Sequence, residues 1–239
     1  MFPVKPVLIV GAGPGLGLSI ARRFGRDGHP VALIARNQDR LDGYVASLRG
    51  DGITAVAVAA DVTDPGRTRA AVTTVTDRLG PIGTLYYGPG AADPTAHPAP
   101  IQQTEPHHLD EAIRALVRPA LDLTGLVLPG MVERGDGTLL YVTGLGAVVP
   151  IPMLGALAPA SAALRTYALT LNASLTDTGV YAGTLVIGGL IERGDIHRHA
   201  VAAFGADGLP TLDPDELADS AAELAATRSA PERVFNALT

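Results

Sequence analysis

The sequence predicts an α/β fold, a doubly wound parallel sheet covered by helices on both faces in a three-layer α/β/α sandwich. Three observations carry this expectation. Short β-rich runs alternate with segments of helical length along the chain. Those runs are apolar almost throughout, with little in-out alternation, as strands buried on both faces are. The first of them leads directly into a glycine-rich turn and an amphipathic helix.

Taken in order, the strands are "VLIV" (7–10), "VALIA" (31–35), "AVAVAA" (55–60), "TLYY" (84–87), "GTLLYVT" (137–143) and "YAGTLVI" (181–187). A late "RVFN" (233–236) is expected at a sheet edge. "LGLSIARRF" continues the glycine turn as a helix, and "TDPGRTRAAV" signals another. A helix over 157–175 places Pro159 in its first turn, where a missing N–H costs little. Pro and Gly concentrate at 88–106 and 188–214, each time after a strand. Open α/β sheets bind ligands beyond the carboxyl ends of their strands, so a pocket wall and a lid are expected there. Plain surface loops are the alternative. One domain over 1–239, with a lid around 188–214, is the expected organisation.

Composition narrows the function classes. A net charge of −6 with scattered Lys and Arg argues against a nucleic-acid surface. Zero cysteines exclude disulfides, thiolate zinc sites and a Cys nucleophile, and fit a reducing cytoplasm. The apolar run before the first glycines is too short for a signal peptide, and even "TLLYVTGLGAVVPIPMLGALA" is broken by Gly and Pro. A soluble cytoplasmic protein with no membrane segment is expected. "HH" (107–108) and "HRH" (197–199) lack matching carboxylate spacing, so no metal site is expected and these histidines read as solvated.

The chemistry begins at "VLIVGAGPGLGLSIARRF". Gly11, Gly13, Gly15 and Gly17, with Pro14 and Leu16 between them, form a turn in which backbone N–H groups can approach a pyrophosphate at a helix N-terminus. The common Gly-x-Gly-x-x-Gly spacing fails, because its third glycine would fall on Leu16. After the second strand, Arg36 stands where an NAD-specific site has an acid, and Asn37 follows it. A carboxylate would repel a 2′-phosphate and an arginine pairs with it, so NADP(H) is expected over NAD(H).

The spacing Gly11-x-x-x-Gly15-x-Gly17, with "ALIARN", "AADVTD" and "LVLPGMVERGDGTLLYVTG", resembles the short-chain dehydrogenase/reductase family over nearly the whole chain. The resemblance implies a Rossmann fold. It places Asp61 and Val62 at the adenine edge, although Asp61 also reads as a helix N-cap. It sets Gly189 on the cofactor wall and replaces the family's Asn-Asn-Ala-Gly by Tyr87-Gly88-Pro89-Gly90, putting Tyr86 and Tyr87 near the cleft.

Similar proteins protonate a carbonyl with a tyrosine whose pKa a lysine lowers from about 10, beside a serine and a helix asparagine. Here the serine position falls on Gly144, the Tyr-x-x-x-Lys frame on Leu157-Ala-Pro-Ala-Ser161, and the asparagine near Leu116. The only lysine is Lys5, and Tyr167 lies too far along the helix. Thr143, Tyr87 and Tyr141 are weak substitutes, as are His97, His107, His108, His197 and His199. Thr143 would need a bulge to re-aim it. Gly144, Leu157 and Ser161 are expected to line the pocket.

Three functions stay open: an atypical NADP(H)-dependent oxidoreductase on an unidentified carbonyl or alcohol, a non-redox cyclase, dehydratase or isomerase, and a catalytically silent NADP(H)-binding or sensing protein. The resemblance also implies a homodimer or homotetramer through helices 108–132 and 157–175. The stripes Ile113/Leu116/Val117/Ala120 and Leu164/Ala168/Leu171/Leu175 are the candidate faces, the second reading equally as core.

Overall fold

The computed structural model describes residues 4–88 and 98–238. β1 (Val7–Val10) turns into α1 (Leu16–Arg26), and the unit repeats as β2 (Val31–Ala35) with α2 (Gln38–Gly50) and β3 (Ala55–Ala59) with α3 (Pro65–Leu79). β4 (Thr84–Tyr87) precedes the abutting helices α4 (Pro106–Leu116) and α5 (Arg118–Glu133). Then come β5 (Gly137–Gly144), α6 (Leu157–Ser174) and β6 (Val180–Gly188). The chain ends through β7 (Leu190–Ile191), α7 (Asp195–Phe204), β8 (Thr211–Leu212), α8 (Pro214–Thr227) and β9 (Glu232–Asn236).

Seven strands form one parallel sheet in the order β3-β2-β1-β4-β5-β6-β9. Strand alternation divides the core. Val7 and Ile9 pack with Ile20 and Phe24 of α1, Leu41 of α2 and Leu217 of α8 on one face. Leu8 and Val10 pack with Val75 of α3, Leu123 of α5 and Leu164 of α6 on the other. This is the expected three-layer sandwich. The chain reverses direction across the sheet between β1 and β4, and the crevice at their carboxyl ends is where such sheets bind ligands.

Three features depart from the sequence expectation. β3 is an edge strand, so its middle residues are only half-buried. The 188–214 stretch contains a helix and a second, two-stranded parallel sheet of β7 and β8. The stripe Leu164/Ala168/Leu175 is buried within the chain and belongs to the core, so it is withdrawn as an oligomer face. Ala120 is buried too, while Ile113 and Leu116 pack around Ala112, Ala156 and Ala160. The 106–133 stretch is long and apolar enough to cross a membrane by length and composition. Its apolarity is used on the sheet, where Leu123, Val127 and Met131 are buried.

Candidate functional site

The glycine turn brings α1 close to the end of β1. Gly11 is left-handed at φ 89°, and a Cβ on Gly17 would come within 2.8 Å of the Gly11 carbonyl oxygen. Both positions therefore require glycine. Gly13 has nothing nearer than 4.0 Å to a Cβ position, and no side chain caps α1 at Gly15. Gly11 and Ala12 give their N–H groups to the Ile34 carbonyl. An uncapped helix start beside open space is a cradle suited to an anion. Gly15 has a second neighbour, because a Cβ there would lie 3.1 Å from the Glu192 carbonyl oxygen and 3.2 Å from the Gly194 Cα. The segment leading into α7 thus rests on the turn.

Beside this cradle, Arg36 follows the end of β2, and Asn37 caps α2 by accepting from the Arg40 N–H at 2.9 Å. Asp61 accepts from the Thr63 N–H and hydroxyl at 3.0 and 2.8 Å. These bonds, with the positive charge of Arg36 adding to them, hold its carboxyl below the usual range. Asp64 caps α3 instead, accepting from Gly66 and Arg67, which removes the capping role from Asp61. Val62 is partly buried against the core.

At the other end of the crevice, Tyr87 and Tyr141 are both fully buried. Tyr87 donates to the Leu116 carbonyl at 2.9 Å, and the Tyr141 hydroxyl pairs with Thr124 at 2.7 Å. Burial pushes both phenols far above their ordinary pKa. Tyr86 is buried in the opposite core, its hydroxyl 2.5 Å from a Cβ position on Gly88. Thr143 donates to the Ser161 carbonyl at 3.0 Å. Leu157 is the first residue of α6 and is 37% exposed, while Ser161 is buried one turn later. A Cβ on Gly144 would sit 3.5 Å from the Ser161 hydroxyl. The structure therefore brings Gly144, Thr143 and Ser161 together, with Leu157 at the open end of the same helix. Gly189 packs against Ala237 and the Pro210 carbonyl. Pro89, Gly90 and His97 lie outside the described residues.

Among the described residues no cluster of His, Asp and Glu could hold a metal. His108 accepts from the Glu105 N–H as part of the α4 cap, and His197 has a buried, unpartnered Nδ1. Sequence reasoning missed the charged anchors of α7. Arg40 donates to both carboxylate oxygens of Asp195, 155 residues away, at 3.0 and 2.9 Å. Arg193 reaches Ser19 at 3.2 Å and Asp215 at 2.8 Å. No local pattern announces a pair so far apart in the chain.

Comparison with known proteins places these features in context. Residues 5–194 match the short chain dehydrogenase family model. A short chain dehydrogenase of Pseudocercospora fijiensis is 31% identical over 184 residues, which are 76% of this chain and 58% of that protein. A fatty acyl-CoA reductase of Mycobacterium tuberculosis is 28% identical over 225 residues, covering 94% of this chain and 74% of that one. In fold, the chain is similar to an NADPH-bound short chain oxidoreductase of Pseudomonas aeruginosa PAO1 containing an atypical catalytic center. The TM-score is 0.84 at 22% identity, over 98% of this chain and 96% of that one.

Proposed function

The chain belongs to the short chain dehydrogenase family, and on that premise we propose that it is an NADP(H)-binding oxidoreductase of a carbonyl or alcohol that works without the family's usual acid. The start of α1, without a side-chain cap and with open space at Gly13, beside Arg36, carries this reading. In it, the turn formed by Gly11, Gly13, Pro14, Gly15, Leu16 and Gly17 holds the pyrophosphate. Arg36 and the start of α2 at Asn37 take the 2′-phosphate, and Asp61 and Val62 take the adenine edge. Gly88 approaches the ribose, and Gly189 walls the nicotinamide. Bound NADPH supplies a hydride to such a site.

In this reading the reacting end lacks the groups that the family resemblance leads one to expect. Leu157 carries no proton, Ser161 carries no charge, and Gly144 offers no side chain. The hydroxyls of Tyr87, Tyr141 and Thr143 are engaged in internal bonds, so none of them is poised as a donor. Protonation then falls to water or to the substrate itself. In this reading the substrate meets an apolar wall formed by the exposed Val148, Val149 and Met153 between β5 and α6 and by Leu157 at the start of α6. The P. aeruginosa protein, NADPH-bound and containing an atypical catalytic center, supports this reading.

The missing acid also favours a second reading, a protein that binds NADP(H) without hydride transfer, for a non-redox reaction or for sensing. Calorimetry with NADP+ and NAD+, followed by NADPH absorbance with apolar ketones, separates the two. Selective NADP+ binding with turnover supports the oxidoreductase, and binding without turnover supports the second reading. The protein is further proposed to act in the cytoplasm on a small molecule, as a homodimer or homotetramer.

A further inference from the structure

We propose that the Arg40–Asp195 ion pair is a latch holding α7 over the glycine-rich turn, and that the 2′-phosphate of NADP(H) opens it by competing for the Arg40 guanidinium. This rests on the NADP(H) reading above. None of the ten residues of α7 is fully buried, although His197 keeps a buried Nδ1, so apolar packing contributes little to fixing the helix in place. Charge holds it. On one side Arg40 holds Asp195, the first residue of α7. On the other Arg193, left-handed at φ 64°, is held by Asp215 and Ser19. Between the two anchors, Gly194 rests on Gly15.

Arg40 is well placed for a second partner. It lies in the first turn of α2, its N–H bonded to Asn37, within a turn of Arg36. The Tyr44 hydroxyl at 3.1 Å holds its guanidinium. A phosphate monoester carries about −1.5 to −2 charges against one on a carboxylate, so it competes for the guanidinium whose Nη2 here serves both Asp195 oxygens and Tyr44. Asp195 also pairs with Arg198 within α7, so its carboxylate stays neutralised when Arg40 turns away. NAD(H) carries a hydroxyl in place of the phosphate and does not compete. Release at Arg40 leaves the Arg193 anchor as the pivot, so the cofactor that enters selects the state of the lid.

Hydrogen exchange over 195–204, read by mass spectrometry, tests this with adenosine 2′,5′-bisphosphate and 5′-AMP as probes. Both lack the nicotinamide half. The latch is exposed on both sides, so the expected change is modest. The bisphosphate should speed exchange about threefold to fivefold, 5′-AMP at equal occupancy should leave it unchanged, and D195N should show the faster rate without ligand and no response to either probe. If the bisphosphate binds more tightly than 5′-AMP by calorimetry but exchange is unchanged or slower, the latch is overturned and the NADP(H) reading stands. If the two bind equally, both are overturned. D195N exchanging at the wild-type rate overturns the latch by itself.

Discussion

The hydroxyl of Tyr87 donates to the backbone carbonyl of Leu116 at 2.9 Å. Leu116 is the last residue of α4, so the bond satisfies a carbonyl that the helix itself leaves without a partner. Tyr87, fully buried at the end of β4, is thereby a brace between β4 and α4. Tyr87→Phe is expected to cost about 1 kcal/mol, or roughly 2–4 °C in thermal midpoint, and to leave any turnover unchanged. Calorimetric melting together with an activity assay checks both parts.

Cofactor choice follows from Arg36. A charge-assisted contact to phosphate is typically worth about 1.5–3 kcal/mol, so NADP+ should bind roughly tenfold or more tighter than NAD+. Arg36→Ala should remove most of that difference. Equal wild-type affinities by isothermal calorimetry would remove the basis of the assignment.

The central sheet was legible because its signals are local. Continuous apolar runs such as Val7–Val10 and Val31–Ala35, each followed by a turn, became β1 and β2 at the expected bounds. The glycine turn was legible for the same reason, but the crowding against the Gly11 carbonyl that demands Gly17 shows only in the folded turn. The anchors of α7 were not. Arg40 and Asp195 are joined only after the sheet has formed, and an exposed charge in sequence looks the same whether or not it has a partner. Tyr87 and Tyr141 misled in the opposite way. Their positions at strand ends suggested the cleft, and only tertiary packing shows their hydroxyls turned to Leu116 and Thr124.

Alkaline pH should unfold the protein. Burial raises the pKa of Tyr181 to about 12 and those of Tyr86, Tyr87 and Tyr141 further, from the ordinary tyrosine value of about 10. The fold therefore favours the protonated phenols, while the unfolded chain loses their protons first. This contribution to stability is fully present below pH ~10 and is lost as pH rises above it. In a titration followed by tyrosinate absorbance and circular dichroism together, these four of the six tyrosines should ionise only as helix signal is lost. Their full ionisation with the helix signal intact would contradict the buried placement.

Self-association should use what remains exposed on 106–133. Leu109 and Leu121 are exposed there, while the Leu164/Ala168/Leu175 stripe is buried within the chain. A homodimer or homotetramer is expected by light scattering at micromolar concentration, weakened by Leu121→Glu. A wild-type monomer would count against it.

The proposal of catalysis without the usual acid rests on Gly144, Leu157 and Ser161. Protonation by a poised side chain contributes about 10²–10⁴ in rate, so a chain lacking it should barely reduce generic ketones even when saturated with NADPH. The structure leaves room to restore it. A Cβ at Gly144 would meet only Ser161 Oγ, at an ordinary 3.5 Å, and Leu157 faces outward at the start of α6. The most direct measurement is NADPH consumption with a ketone panel, wild type against the triple variant Gly144→Ser, Leu157→Tyr, Ser161→Lys. The expected result is slow but measurable reduction in the wild type and markedly faster reduction in the variant. Robust wild-type turnover, undiminished by Tyr87→Phe and Tyr141→Phe, would contradict it and show that another group donates the proton.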